Sequence, residues 1–194
     1  IQRTLLPVLL GWFADAPNPD VGLLGFRRVS EELGGTPWYL RLLRDESETA
    51  ERLAHLLSAS RLATDLLLRA PEVVGLLSDV KELEPKSLED LLREMSATAM
   101  RYDEPDRAVQ AIRTVRSREL FRVAAADANG LLGVPGVCQA LSDISDATIS
   151  VALQIAVASV EATLGSSLPT RFSVIAMGRL GGQDVGYSSD ADAI

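Results

Sequence analysis

Apolar positions recur every three or four residues between positions 141 and 162. This spacing places them on one face of a helix and leaves polar residues on the other face. The positions of this stripe are Leu141, Ile144, Thr148, Val151, Ile155, Ala158 and Ala162. Only Thr148 is polar, and we expect its hydroxyl group to bond a carbonyl one helical turn earlier. The pattern predicts a long helix that packs through one apolar face.

Capping residues and glycines divide the chain before Gly165 into helices of ordinary length. A capping side chain followed by proline predicts helix starts at Asn18-Pro19 and at Thr36-Pro37. Ser87, with Asp90 three residues later, predicts another start with a pair related to the capping box. Glycines that can adopt the left-handed conformation predict helix ends. These glycines lie in Gly34-Gly35, in Asn129-Gly130 and at Gly165. Residues 1–165 are therefore expected to form a helical bundle.

The pattern changes after Gly165. Small residues and a proline in 165–170 are typical of a linker, and an apolar, β-branched run follows at 172–177. A glycine-rich turn at 178–182 then leads to a second short segment that carries Asp190 and Asp192. This order predicts two strands, which open a second domain over residues 166–194. Two strands with a free edge are unstable alone, so we expect residues after about Thr170 to be poorly held unless they pack on the bundle.

Asp190 and Asp192 are the candidate metal ligands. Side chains two residues apart in a strand project from the same face, so the two carboxylates are expected to lie together. Mg²⁺ prefers hard oxygen ligands and commonly takes one or two carboxylates together with substrate phosphates. Glycines beside such a pair let backbone N–H groups approach the phosphates. Other glycine motifs do not fit, because a Walker A loop needs Lys-Ser/Thr after Gly182 and a dinucleotide fingerprint needs glycine at Leu180.

The order of a glycine turn, a short loop and Asp-x-Asp resembles the nucleotidyltransferase superfamily of DNA polymerase β. Arg179 stands where that superfamily usually has Ser or Gly. The longer string from Val174 to Asp192 is similar to the active-site entry of the glutamine synthetase adenylyltransferase family. It shares the Met-Gly-Arg/Lys-Leu-Gly-Gly sequence, a tyrosine and Ser-Asp-x-Asp, and Asp184 replaces the more usual Glu. Residues near the front of the chain, among them 36–40, resemble the segment between the two catalytic units of actinobacterial members.

The resemblance implies a fold and roles for the site residues. The chain would be mostly α, with a helical bundle followed by the opening strands of an α/β domain of the polymerase-β type. Asp190 and Asp192 would be the catalytic ligands of Mg²⁺, with ATP as the substrate. The residues that would position the triphosphate are Gly178, Arg179, Gly181, Gly182 and Ser189. A further acidic residue is expected on a later strand, so this chain alone is expected to have little or no transferase activity.

The resemblance also implies partners. In this family one unit attaches AMP to a tyrosine of glutamine synthetase, and the other unit removes it by phosphorolysis, which regulates nitrogen assimilation. The residues at the front of the chain favour the second, AMP-attaching unit. A PII-type signalling protein is a candidate second partner. Two alternatives stay open, namely the adenylyl-removing unit and a non-catalytic helical interaction module.

Composition narrows the partners and the cellular setting. A net charge of −8 at pH 7 argues against nucleic acid as the main partner, because phosphate binding requires a basic surface. Cys138 is the only cysteine, so a reducing cytoplasm is the expected location, and we expect its side chain to be buried on a helix. The apolar stretch 149–164 contains Gln154 and Glu161 among other polar residues, so no membrane span is expected.

Four arginines lie close together on the helix predicted over about 106–126. They are Arg113, Arg116, Arg118 and Arg122. We expect a solvated face on which acids such as Glu119 pair with them. The alternative is a face that binds a triphosphate or an acidic surface of the target protein, since guanidinium groups match phosphate oxygens.

Overall fold

The computed structural model describes residues 2–16 and 18–194, with side chains described from residue 6 onward. Its α-helices are α1 Gln2–Ala14, α2 Pro19–Leu33, α3 Pro37–Asp45, α4 Ser47–Ala59, α5 Arg61–Arg69, α6 Leu88–Ala99, α7 Pro105–Ala128, α8 Val134–Leu164 and α9 Gly178–Gly181. Two 3-10 helices, Pro71–Ser78 and Val80–Leu83, lie between α5 and α6. The prediction of a mostly helical chain is confirmed.

The chain divides into two compact units. One consists of residues 1–84 and 121–132, and the other of residues 85–120 and 133–194. Helix α7 supplies its residues up to 120 to the second unit and its remaining residues to the first. The division predicted from the sequence, between 1–165 and 166–194, stays a prediction.

Helix α4 is central to the first unit and contacts α1, α2 and α3. Its apolar residues Leu53, Leu56 and Leu57 are fully buried. The rings of Phe13 and Phe26 join α1 to α2, with their centroids 5.9 Å apart. Burial of this many apolar side chains supplies the main stabilising free energy of the unit.

In the second unit α8 packs on α6. Leu141, Ile144 and Val151 of the predicted stripe are buried on α8, and the half-buried Thr148 donates a hydrogen bond from Oγ1 to the Ile144 carbonyl at 2.6 Å, as expected. Beyond Val151 the stripe is less covered, and Ala158 and Ala162 are exposed. The reason is length, because the 12 residues of α6 span about 18 Å whereas the 31 residues of α8 span about 46 Å.

The predicted helix starts are found in the structure, but only some of the predicted capping hydrogen bonds are. Helices α2 and α3 begin at Pro19 and Pro37 as predicted, but neither preceding side chain caps its helix. Thr36 Oγ1 instead donates to the Leu33 carbonyl at 2.6 Å. Ser87 does cap α6, since its Oγ accepts from the Asp90 backbone N–H at 3.2 Å.

No β-strand forms among the residues described, so the predicted opening strands require correction. The segment 172–177 meets residues near the end of the chain through one isolated antiparallel bridge, between Ala176 and Ala193. An isolated pair of strands is marginal in water, and the described chain offers it no third strand. Phe172 and Ile175 remain 62% and 61% exposed, so the pair has little apolar cover.

The arginine-rich face of α7 is only partly solvated. Glu119 is 1% exposed and Arg122 is 5% exposed, which contradicts a fully solvated face. Arg118 Nη2 lies 2.7 Å from Glu119 and 2.7 Å from Glu94, so the prediction that Glu119 pairs with an arginine is confirmed. Lys86 Nζ also contacts Glu94, at 2.7 Å. The cluster pairs a buried carboxylate with cations, as burial of charge requires.

Within the described ranges, α8 is the helix that is long and apolar enough to cross a membrane by length and composition. Core helices of water-soluble proteins meet the same two criteria, so these criteria alone do not assign a membrane span. The expectation that the stretch does not span a membrane stays a prediction.

Candidate functional site

The glycine turn lies next to Asp192. The Met177 backbone N–H donates to the Asp192 carbonyl at 2.8 Å. Ile175 and Ile194 exchange two further backbone bonds, of 2.8 and 3.0 Å. These bonds join residues 175–177 to residues 192–194 although no strand forms. Asp192 and the start of the glycine turn are therefore adjacent, and the roles assigned to these residues stay predictions.

Gly178 leaves space for the Asp192 carboxylate. A Cβ atom built on Gly178 would lie 3.0 Å from Asp192 Oδ2, which is tighter than about nine in ten real contacts of such an atom. Gly178 also has a φ of +52°, in the left-handed region that disfavours other residues. Glycine is therefore favoured by its backbone angle, and a side chain at this position would require the Asp192 carboxylate to shift by a few tenths of an ångström.

Gly181 and Gly182 shape the turn itself. A Cβ atom on Gly181 would lie 2.5 Å from the Ala176 carbonyl oxygen, so only glycine fits. Its backbone N–H donates to the Met177 carbonyl at 2.9 Å, and the N–H of Gly182 donates to the Gly178 carbonyl at 3.0 Å. The turn buries Leu180, which is 1% exposed. The close backbone approach explains why a glycine occupies position 181.

Arg179 lies in the turn, on α9, whereas Ser189 lies on the loop between the turn and the acidic pair. Ser189 Oγ accepts a hydrogen bond from the Gly186 N–H at 2.9 Å, and the Ser189 N–H donates to the Gly186 carbonyl at 3.0 Å. Arg179 Nη1 lies 3.8 Å from the position that a Cβ of Gly186 would occupy. Arg179 and Ser189 therefore both lie near Gly186. Asp190, just after the loop, is exposed.

The segment is anchored to the second unit rather than loosely attached. Leu180 and Val185 are both buried, which meets the condition set for residues after Thr170. Cys138 on α8 is half-buried rather than buried. The hydrogen bond with the Asp184 carboxylate raises the pKa of its thiol above the ordinary value. These contacts hold the loop on the surface of α8.

The acidic pair fits part of a Mg²⁺ site. Asp190 and Asp192 are both exposed, and their carboxylate oxygens are the hard ligands that Mg²⁺ prefers. Over the stretch whose placement is described, no three His, Cys, Asp or Glu residues come close enough to hold a metal ion. Two carboxylates are enough for Mg²⁺ when water and phosphate oxygens complete the coordination. The assignment of these ligands stays a prediction.

Sequence reasoning missed Gln183, whose side chain bonds the end of the turn to α8. Its side chain bonds to Asp146 and Gln139, and its backbone has a φ of +55°. A glutamine after two glycines gives no sequence signal for either property. Only the folded backbone reveals them.

A cavity of about 570 Å³ lies away from the acidic pair. It is lined by residues of α6, α7 and α8 and of the connection between α6 and α7, including Met100, Tyr102 and Ile155. None of the predicted site residues lines it. The cavity is therefore separate from the candidate site.

The fold and this segment define a mostly helical protein that carries an exposed acidic pair beside a glycine turn. A family model described as glutamate-ammonia ligase adenylyltransferase matches residues 50–194, and the chain belongs to that family. The resemblance seen in the motif is therefore confirmed.

Curated relatives match the chain over its full length. It is 53% identical over 209 residues to a protein of Streptomyces coelicolor, 50% over 194 residues to one of Cutibacterium acnes, and 44% over 202 residues to one of Mycobacterium tuberculosis. Each relative is named bifunctional glutamine synthetase adenylyltransferase/adenylyl-removing enzyme. Each match covers 100% of this chain but only 21%, 19% and 20% of the relative. The chain spans about a fifth of the length of these relatives.

Proposed function

We propose that this chain is part of an enzyme that transfers AMP from ATP to a tyrosine of glutamine synthetase. The observation that carries the proposal is the Asp192 carboxylate held beside Gly178, in a segment where Gly181 relieves a close contact with the Ala176 carbonyl. Membership of the family supports the reaction class. Residues 166–194 would form the start of a polymerase-β-type domain, after a helical bundle over residues 1–165.

Asp190 and Asp192 are the proposed ligands of Mg²⁺. When bound, Mg²⁺ would stabilise the attacking and leaving oxygens of the transferred phosphorus. The missing side chain of Gly178 keeps Asp192 Oδ2 accessible at this position. Because both carboxylates are exposed, they can reach an ion that also coordinates phosphate oxygens and water.

The glycine turn and its loop are proposed to position the triphosphate. Arg179 carries a guanidinium group, whose planar donors match phosphate oxygens. Ser189 Oγ accepts from the Gly186 N–H, which fixes the oxygen and leaves its proton to be donated to a phosphate. Gly181 and Gly182 let the backbone approach closely, because neither has a side chain in the way. None of these residues needs to act as a nucleophile.

Glutamine synthetase is the proposed protein substrate, and a PII-type protein is a proposed second partner. The net charge of −8 agrees with a protein substrate better than with nucleic acid. The cytoplasm is the proposed location. The curated relatives carry names that include both AMP attachment and AMP removal, so the removing activity is the second candidate.

The test uses the protein at the full length of its relatives. Asp190→Asn and Asp192→Asn should each lower AMP attachment to glutamine synthetase at least about a hundredfold, as expected when charge stabilisation in a transition state is lost. Attachment and phosphorolytic removal are assayed separately with Mg-ATP and with phosphate. The control is Asp103→Asn, which neutralises an exposed acid in the connection between α6 and α7.

Loss of attachment alone supports the proposal, and loss of removal alone assigns the chain to the adenylyl-removing unit. If both activities survive in both variants while the proteins are folded, the acidic pair is not catalytic. The chain would then be better described as a helical interaction module.

A further inference from the structure

Gln183 has an unusual backbone conformation. Within the described part of the chain it is the one residue other than glycine with a positive φ, at +55°. This left-handed conformation is sterically unfavourable for a residue with a Cβ atom. Asn and Asp adopt it more readily than Gln does. The structure must therefore contain something that holds Gln183 there.

The hydrogen bonds at the end of α9 explain why a left-handed residue is needed. The Gln183 N–H donates to the Leu180 carbonyl at 3.1 Å, and the Asp184 N–H donates to the Arg179 carbonyl at 2.8 Å. These two bonds form the Schellman motif, in which the left-handed position is usually glycine. Gly182 precedes that position by one residue and has an ordinary φ of −84°. The sequence thus places a glutamine where the backbone favours glycine.

The glutamine side chain provides what a glycine would lack. Gln183 Nε2 donates to Asp146 Oδ2 at 3.1 Å and to the Leu180 carbonyl at 3.3 Å. Gln183 Oε1 accepts from Gln139 Nε2 at 3.1 Å. Gln139 and Asp146 are seven residues apart on α8, so they lie on one face of that helix. Both ends of the amide are therefore bonded to α8.

We propose that Gln183 is a positioning residue that fixes the glycine turn to α8 and so sets the place of Gly178 beside Asp192. This inference rests on the proposed function of the acidic pair. The turn begins at Gly178, which has no Cβ atom. A Cβ atom there would lie 3.0 Å from Asp192 Oδ2, so its absence leaves room for the carboxylate. A shift of the turn on α8 would close or widen that space. Displacement of reacting groups by about 1 Å can cost about a hundredfold in rate.

The main test is Gln183→Gly in the protein at the full length of its relatives. Glycine accepts the left-handed backbone, so the turn should form at least as readily while its bonds to α8 are lost. We expect kcat/KM for Mg-ATP to fall between about tenfold and a hundredfold, with no loss in the midpoint of thermal unfolding. Amide hydrogen exchange in 178–194 should become faster, because local opening is no longer opposed by α8.

A complementary pair of substitutions separates positioning from simple damage. Gln183→Glu alone places a carboxylate against Asp146 and should lower activity. Combining it with Asp146→Asn supplies a donor opposite the new acceptor, and this double variant should recover activity towards the wild-type value. Ser150→Ala, at an exposed position of α8, is the control and should leave both readouts unchanged.

The outcomes distinguish this inference from the proposed function. If Gln183→Gly leaves either kcat/KM or amide exchange unchanged, or if it simply lowers the unfolding midpoint, the positioning role is wrong. The exchange measurement does not depend on the reaction. If Asp192→Asn keeps full activity while Gln183→Gly still speeds exchange, the tether is correct and the proposed function is not.

Discussion

Gly22 and Gly11 lie in neighbouring helices but have opposite surroundings. A Cβ atom on Gly22 in α2 would clash with Ser58 Oγ and lie 2.7 Å from Phe13 Cδ1, and both of these residues are buried. A Cβ atom on Gly11 in α1 would have no neighbour within 4 Å. The first glycine is required by close helix packing, whereas the second only adds flexibility to a helix.

This difference predicts opposite effects of the same substitution. Gly22→Ala should lower the free energy of unfolding by about 1–3 kcal/mol, because a packed core must shift to accept the methyl group. Gly11→Ala should raise it by about 0.5–1 kcal/mol, since alanine restricts the unfolded chain and fits the helix. Urea titrations of both variants measure these changes. Equal effects in the two variants would contradict the packing that we describe for Gly22.

At the same scale, sequence predicts candidate site residues where the chemistry depends on residue type. Asp192 and Gly178 can be proposed because a glycine turn, a short loop and Asp-x-Asp follow one another in the chain. Gln183 cannot, since its role depends on a backbone angle that glutamine rarely adopts. Gly182 would have been the natural choice for the left-handed cap, but the hydrogen bonds place that cap one residue later. Residue type predicts a conformation only where one residue alone can adopt it.

At the scale of elements, the strongest test concerns the start of α6. Ser87 Oγ accepts from the Asp90 N–H at 3.2 Å and donates to Asp90 Oδ2 at 2.7 Å. This bond to Ser87 is also the main cause that lowers the pKa of Asp90 below its ordinary value. Ser87→Ala should therefore cost about 1 kcal/mol of unfolding free energy. The measurement is chemical denaturation followed by far-UV circular dichroism.

The matched control for that prediction is Asn18→Ala at the start of α2. Asn18 occupies the same capping position but makes no side-chain capping bond. Its replacement should change stability by clearly less than Ser87→Ala does. A loss in Asn18→Ala as large as in Ser87→Ala would mean that helix propensity, and not the bond, governs these starts.

Elements were predictable where local sequence determines them. Proline after a capping residue marks the starts of α2 and α3, since it suits the first helical turn. Gly130 and Gly165 have φ values of +69° and +68°, as predicted for helix ends. Gly34 was predicted the same way but has a φ of −63°. There Thr36 closes the end of α2 with backbone and side-chain bonds to the Leu33 carbonyl, so no left-handed residue is needed.

The predicted strands show where local sequence is insufficient. The run at 172–177 has the β-branched, apolar composition of a strand, yet it forms one bridge. A strand exists only with a partner along its length, and pairing is a property of the whole sheet. The exposed part of α8 has the same explanation, because its pattern predicts an apolar face but not the length of the neighbour that covers it.

At the scale of the whole molecule, pH stability is easiest to interpret on the alkaline side. The chain has 27 acidic side chains, so many carboxylates titrate together in acid. In alkali the titrating side chains are few, because the chain has three tyrosines, one cysteine and two lysines, the remaining cations being arginines. A single buried tyrosine can therefore account for a visible part of the alkaline loss of stability.

Tyr39 is that tyrosine, since it is fully buried on α3 and burial raises its pKa to about 12. The unfolded chain releases this proton near pH 10, so the unfolded state binds fewer protons between about pH 10 and 12. The stabilisation is complete below about pH 10 and is lost as pH rises to about 12. A pKa difference of two units between the folded and unfolded states corresponds to about 3 kcal/mol of unfolding free energy. In Tyr39→Phe the free energy of unfolding should fall less steeply between about pH 10 and 12 than in the wild type. In Tyr102→Phe, at an exposed tyrosine, it should fall as steeply as in the wild type. Identical alkaline limbs in wild type and Tyr39→Phe would show that the Tyr39 hydroxyl ionises without unfolding the protein.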